Sequence, residues 1–486
     1  MSKSAWVIGF LIFYVAILAM MSWWLSRQNT SDRTYLFGSG FGAILSLFGA
    51  AASLFSTFTL IGMPQFFMEH GIGSWVFLGI TDVCLAALMM YFGLKLRRFT
   101  RKLAVVNRGH APKNLLELLK QNHMPTWVVR YFILATTLFM IPYVSIGIKG
   151  SSMLLQGAIP IGSTQLTWSI ILVLMMLIYS WAGGMKALFF TDMFQGLLLF
   201  ITVWAIGYFA IHGAGGVAEL FASASTIKPE LMSAPGPAGL LNWQFLLISF
   251  ISIVSIPYVQ PQMTTRMLIA KDDKAFTRST MGLAVFAFLV ILPTIFIGLR
   301  AVSVNAAVDP QAQGHFLINL LNHDTPVFFY GLFIIGALAA DMSTISSQLL
   351  SIGTEWRSAM LKGDIQDYPS TKVAVSLVGA SVAVLALILA QTSFKSLILF
   401  AVNSFIGTSL LLPVVVAATL NDHTRRTVLV IASIISVLIY VPALLEFIPK
   451  TVAGVRIELY LYAVDIGLLL WAYLTDKANR INAVLT

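Results

Sequence analysis

The stretch GAILSLFGAAASLFSTFTLIGMPQFF (Gly42–Phe67) decides the fold. It is apolar and long enough to cross a bilayer, which takes about 20 helical residues. Its middle is poor helix. Gly49-Ala-Ala-Ala-Ser53 and Ser56-Thr57-Phe58-Thr59 crowd small and hydroxyl residues together, with Gly62 and Pro64 just beyond. Unwinding there would free backbone carbonyls at membrane depth, tolerable only where they line a cavity or hold an ion. Close helix packing through small residues is the other reading these residues allow.

The rest of the chain has the same character. Of 486 residues, 58% are hydrophobic and 10% charged, and the mean hydropathy is +0.86. That is too little charge to cover a soluble domain. Apolar runs place about 13 spans at 5–26, 42–67, 73–94, 127–157, 165–182, 190–212, 242–263, 280–300, 325–353, 372–392, 395–420, 427–445 and 455–474. The expected fold class is therefore an all-α membrane protein, one polytopic domain over 1–486 with a broken second helix. The first run (Ala5–Leu25) lacks a small-residue cleavage site and reads as a span, not a signal peptide.

The net charge of +10 is explained by where it sits. Loops 27–41, 95–126, 183–189, 264–279, 354–372 and 421–426 and the C-terminal tail hold 22 Lys and Arg. The opposite side holds Lys3, Lys228, Arg300, Lys395, Lys450 and Arg456. The positive-inside rule then predicts an inner-membrane protein with its N-terminus outside and its C-terminus cytoplasmic. The basic balance is topology, and no nucleic acid is implied. Lys95–Lys102 is expected against the inner leaflet. The amphipathic Lys113–Lys120 is expected to lie in that interface. Cys84, the single cysteine, excludes an intramolecular disulfide and reads as a packing thiol.

Ionisable groups at membrane depth cost several kcal/mol unless paired or functional. They are Asp82 in span three, Lys149 in span four, Asp192 opening span six, Asp341 in span nine and Asp465 in the last span. Asp82 and Lys149 either face a solute pocket, suiting a charged or zwitterionic solute, or pair with each other and leave it neutral. Asp192 follows Thr191 and also fits a helix N-cap. In span nine, Ser343, Ser346 and Ser347 share one narrow face at about 100° per residue, flanked by Ala340 and Thr344. Asp341 and Gln348 point away from Ser343. A hydroxyl stripe suits a hard, partly dehydrated cation, or it glues helices together.

Four segments carry a family likeness: Tyr35-Leu-Phe-Gly-Ser-Gly40; Tyr179-Ser-Trp-Ala-Gly-Gly184 running on to Thr191-Asp192-Met-Phe-Gln195; Gln260-Pro-Gln262-Met-Thr-Thr-Arg266 to Lys271; and Ala339-Ala-Asp-Met-Ser-Thr-Ile-Ser-Ser-Gln-Leu-Leu350. In order and spacing the chain resembles the sodium:solute symporter family over residues 30–425. The resemblance implies a five-plus-five inverted repeat, 42–212 and 242–420, with peripheral helices at 5–26 and 427–474. It implies a sodium (Na+) site made of the Ala52, Phe55 and Ala340 carbonyls and the Ser343 and Thr344 hydroxyls. Likeness to the sialic-acid carriers implies a second sodium at Asp192, Ser343, Ser346 and Ser347. The solute would meet Ser56, Thr59, Thr81 and Gln260, to which the burial cost of charge adds Asp82 and Lys149.

Two departures from the family pattern stand out. Asp341 replaces a small or apolar residue, which opens a role in coupling or proton transfer beside a purely structural pairing. Leu54 replaces the acidic residue of the proline carriers, which argues against proline. The expected function is sodium-coupled import of a small polar solute, not an enzyme. The partners are solute, sodium and lipid, with no obligatory protein partner. A proton-coupled symporter, or a solute sensor acting through a partner chain, shares the same fold.

Overall fold

The computed structural model describes residues 2–485 except 28–30, 39, 160–163, 305–314, 361–367 and 393–396. Ser39 of the first motif and Lys395 of the charge count lie outside the described residues. Helix α1 (Lys3–Ser26) precedes the short α2 (Asp32–Phe37). Next come α3 (Ala43–Leu54) and, after a π turn at Phe58–Gly62, α4 (Met63–His70). A π turn at Val76–Ile80 leads into α5 (Thr81–Val106), followed by α6 (Leu115–Gln121), α7 (Thr126–Ala158), α8 (Gln165–Ala214) and α9 (Val217–Ile227). The second half holds α10 (Trp243–Val259), α11 (Pro261–Ile269), α12 (Asp273–Ser303), α13 (His315–Asp324), α14 (Val327–Met360) and α15 (Tyr368–Ala390). It closes with α16 (Leu397–Ser409), α17 (Leu412–Ala417), α18 (His423–Leu444) and α19 (Ile457–Leu485), a small hairpin at 451–456 preceding the last.

Among the described residues, ten helices are long and apolar enough to cross a membrane, or twelve when each of two bent pairs is taken as one broken span. With the shorter apolar helix Gln165–Ser180, every expected span has a counterpart. The pair α3–α4 bends by 60° and the pair α10–α11 by 55°. Each break is one extended residue, Phe55 (φ −102°, ψ 116°) and Gln260 (φ −94°, ψ 127°). The break in span two follows its small and hydroxyl residues; Pro261 makes the one in span seven, since it cannot donate to the helix before it. Arg97 of α5 anchors the far end of α11. It donates to the carbonyls of Met267 (2.7 Å) and Ala270 (3.0 Å) and pairs with Asp273 at 3.1 Å, satisfying carbonyls that a helix end leaves without partners.

Helix α14 runs through the middle, packed on α1, α7, α8 and α15. Serine, threonine and alanine along it let neighbours approach closely. Helices α1 and α19 are peripheral and turn apolar side chains such as Ile12, Phe13 and Leu470 outward.

Two expectations change, and one stretch without an expectation gains a structure. Residues 183–189 form no loop: α8 runs on through a kink at Gly184 (φ 63°, ψ −165°). A side chain there would collide with Tyr35, since a Cβ would sit 2.6 Å from its ring. Motifs one and two therefore fit together, with glycine admitting both the backbone and the ring. Helix α6 turns its apolar face to protein, where the amphipathic pattern was expected to face lipid. Its leucines 115, 116, 118 and 119 are buried against α7, α11 and α14, and Asn114 donates to Ser358 at 3.1 Å. The 212–241 segment, silent in sequence, folds as α9 and a turn that caps the broken helix, with Ile72 donating to the Leu231 carbonyl at 2.8 Å.

Candidate ion and solute sites

Ala340, Ser343 and Thr344 stand at i, i+3 and i+4 on α14, so they share a face. That face meets the end of α3. The Thr344 hydroxyl lies 2.7 Å from the Ala52 carbonyl oxygen, 3.3 Å from that of Phe55 and 3.1 Å from that of Ala340. The Ser343 hydroxyl lies 3.1 Å from the Ala52 oxygen and 2.7 Å from the Ala340 oxygen. Five neutral oxygens from two elements thus form one buried knot. Such a set suits a small hard cation stripped of much of its water.

The second group is built differently. Arg266 of α11 donates from Nη2 to Asp192 Oδ2 at 2.6 Å and makes a short hydrogen bond to the Ser347 hydroxyl. The guanidinium also lies over the Phe189 ring, 5.0 Å from its centroid, and Phe189 stacks on Phe41 at 3.8 Å. Segments two, three and four of the sequence likeness meet here, with Phe41 just past the first. Asp192 is no N-cap. It lies inside α8, eight residues past the kink, because the helix never stops at Thr191. Among the described residues, Ser346 and the other Asp192 oxygen have no hydrogen-bond partner. The arginine was not expected from sequence: its partners are 74 and 81 residues away.

Asp341 is fully buried and points away from Ser343, as the helical spacing expects. It accepts from Thr57 of the broken helix at 2.9 Å and from Ser151 of α7 at 2.7 Å. Gly147 makes room, since a Cβ there would sit 2.3 Å from Asp341 Oδ1. Three elements are joined at one carboxylate next to the five-oxygen knot.

The solute residues divide. Ser56 accepts from the Phe58 amide at 3.2 Å, and the buried Thr59 hydroxyl has no partner among the described residues. Gln260 sits at the second break, accepting from Gln262 at 2.8 Å, with its own NH2 group unpartnered among the described residues. Thr81 turns inward on its own chain, donating to the Val76 carbonyl at 3.1 Å. Asp82 is buried, with Oδ1 unpartnered among the described residues. Lys149 does not pair with it: the lysine reaches the Thr392 carbonyl instead, at a half-exposed position. Tyr143 of α7 was missed. It is buried, and its ring meets that of Phe405 edge to face at 5.0 Å. Neutral and aromatic, it gives no signal in the burial cost of charge.

The sodium:solute symporter family model matches residues 35–424. The sodium/pantothenate symporter of Haemophilus influenzae is 26% identical over 302 residues, 62% of this chain and 60% of that protein's length. The osmoregulated proline transporter OpuE of Bacillus subtilis is 24% identical over 79% of this chain and 76% of its own. Among solved structures, a substrate-bound, outward-open Na+-coupled sialic acid symporter superposes with a TM-score of 0.77. It covers 98% of this chain and 97% of that one at 18% identity, so the likeness is one of fold.

Proposed function

The chain belongs to the sodium:solute symporter family, and from that premise we propose that it imports a small polar solute by sodium-coupled alternating access between its two broken helices. The observation that carries this reading is the five-oxygen knot of Ala52, Phe55, Ala340, Ser343 and Thr344. Sodium bound there would tie α14 to the broken helix, sharing its charge among oxygens that now accept or donate hydrogen bonds. Ser56, Thr59, Asp82 and Gln260 would line the solute site, with Thr81 supporting the turn beside it. Lys149 falls outside this set.

We read one sodium per cycle. Asp192 and Ser347 already hold the Arg266 guanidinium, so the second set has a cation of the chain's own. One ion contributes about 2.3 kcal/mol per 100 mV and about 1.4 kcal/mol per tenfold gradient. At about 150 mV and a tenfold gradient that is roughly 5 kcal/mol, enough for accumulation of roughly 10³- to 10⁴-fold. The distribution of Lys and Arg supports an inner-membrane orientation with the N-terminus outside.

The test is uptake into proteoliposomes under an inward sodium gradient, across amino acids, organic acids, sugars and vitamins. Accumulation of one class that disappears in potassium supports the reading. Uptake driven equally well by a proton gradient, without sodium, would move the coupling to Asp341, a carboxylate tied to both the broken helix and α7.

A further inference from the structure

We propose that the packed ends of α5 and α12 form a binding face for an anionic phospholipid of the leaflet they meet. Arg97 and Asp273 tie this face to the second broken helix.

The two helices are held close and at one level. A Cβ at Gly93 would sit 2.7 Å from the Phe276 ring, and the Arg97 guanidinium lies over that ring, 5.3 Å from its centroid. Asp273, in the first turn of α12, pairs with Arg97 at 3.1 Å and with Arg101 at 2.6 Å. Residues 95–102 and 271–278 together hold eight Lys and Arg against two carboxylates. Both carboxylates are engaged, Asp273 by the two arginines and Asp272 by the Ala275 amide, from which it accepts at 2.7 Å. Among the described residues, Arg98, Lys102, Lys274 and Arg278 make no ion pair. The face is therefore left strongly positive.

Its layout distinguishes it from cations spread over loops. On α5, Tyr91, Lys95, Arg98 and Lys102 follow at i, i+4, i+7 and i+11, and all four are exposed. On α12, Lys274, Arg278, Met281 and Val285 repeat that spacing, again all exposed. Each stripe passes from apolar or aromatic side chains to cations on one continuous helix face. Lys95 marks the join. It donates to the Tyr91 hydroxyl at 2.7 Å and lies 4.0 Å from that ring's centroid, and aromatic rings of this kind sit at the headgroup level. A surface that is apolar at chain depth and cationic at headgroup depth fits a phospholipid with a negative headgroup, each Lys or Arg adding to the attraction. A zwitterionic headgroup carries no net charge for these cations to meet.

Occupancy would reach beyond the surface. Arg97 also donates to the Met267 and Ala270 carbonyls at the end of α11. A negative headgroup beside Arg98 and Arg101 would act on the arginine pair that fixes α11 to α5.

The experiment is thermal stabilisation of the purified full chain in a neutral detergent at low salt, with phosphatidylglycerol or phosphatidylcholine of identical chains. Phosphatidylglycerol should stabilise at concentrations about tenfold or more below those phosphatidylcholine needs. The triple variant Lys95→Gln, Arg98→Gln, Lys102→Gln should lose this preference, whereas Arg130→Gln, at an exposed position on α7, keeps it. Potassium chloride at about 1 M should abolish the wild-type preference, because the screening length falls to about 3 Å. Equal stabilisation of wild type by the two lipids overturns the proposal. So does a preference that survives the salt or the triple substitution. Stabilisation by glycerol phosphate to the same extent as by phosphatidylglycerol also overturns it, since the ligand would then be a soluble anion. If the triple variant fails to fold, Arg98→Gln and Lys102→Gln must each narrow the preference, and a full preference in both overturns the proposal.

Discussion

The Thr344 hydroxyl lies 2.7 Å from the carbonyl oxygen of Ala52, joining the ninth span to the broken second span at the bilayer's depth. The carbonyl is available because Phe55 is extended, which ends α3. The hydroxyl is aimed at it because Ala340, Ser343 and Thr344 share one helix face. A cation in that knot would bind only while α14 and the broken helix are together. Ion occupancy and the relation of the two helices become one equilibrium.

Asp192 and Arg266 give the first prediction. Asp192→Asn strands a guanidinium that is 2% exposed and should cost about 3–5 kcal/mol. The double variant Asp192→Asn with Arg266→Gln should recover much of the lost thermal stability. Wild-type uptake should follow sodium with a Hill coefficient of about 1. A clearly higher coefficient that falls to about 1 in the double variant would return the second sodium to Asp192 and Ser346.

Asp341 gives the second. Asn can accept from one of the Thr57 and Ser151 hydroxyls and donate to the other, but it removes the negative charge beside the proposed sodium site. Asp341→Asn should keep uptake sodium-dependent while raising the half-saturating sodium concentration about tenfold. Uptake that follows a pH gradient in the wild type and loses that dependence in Asp341→Asn would mean proton coupling instead.

Gly184 gives the third. Its φ of 63° disfavours a side chain, and a Cβ would sit 2.6 Å from the Tyr35 ring. Gly184→Ala should destabilise by about 1–3 kcal/mol from backbone strain alone, visible as a lower melting temperature. Melting at the wild-type temperature would mean that α8 straightens without cost.

Orientation gives the fourth. In a Cys84→Ala background, Ala453→Cys in the hairpin should react with an impermeant maleimide on whole cells. Arg108→Cys, in the loop after α5, should react only after permeabilisation. The opposite pattern would invert the topology.

Much of this was legible in sequence, for identifiable reasons. The second span advertises its break because glycine, alanine and serine crowd where helix should be strongest. The ninth span advertises a face because hydroxyls recur at helical spacing. Neither signal reaches across the chain. Arg266 sits among loop cations in sequence, and only the bend at Gln260 carries it to Asp192. Asp82 and Lys149 look like a pair on charge alone, but the lysine stem extends to Thr392. The leucines of α6 show an apolar face without saying whether lipid or protein covers it. Tyr143, Phe58 and Phe405 belong to three elements, so only packing reveals that their rings meet.

The central claim is that Ser343 and Thr344 help hold the coupling ion. Its most direct test is a sodium titration of the purified protein, read by thermal stabilisation, in wild type, Ser343→Ala, Thr344→Ala and the control Ser376→Ala. Ligands that bind the folded state raise its apparent stability. Wild type and Ser376→Ala should be stabilised by sodium and not by potassium, at the same midpoint. Ser343→Ala and Thr344→Ala should shift that midpoint upward by about tenfold or more, as loss of one ion ligand worth about 1.4 kcal/mol requires. Titration of Thr344→Ala at the wild-type midpoint would contradict the account.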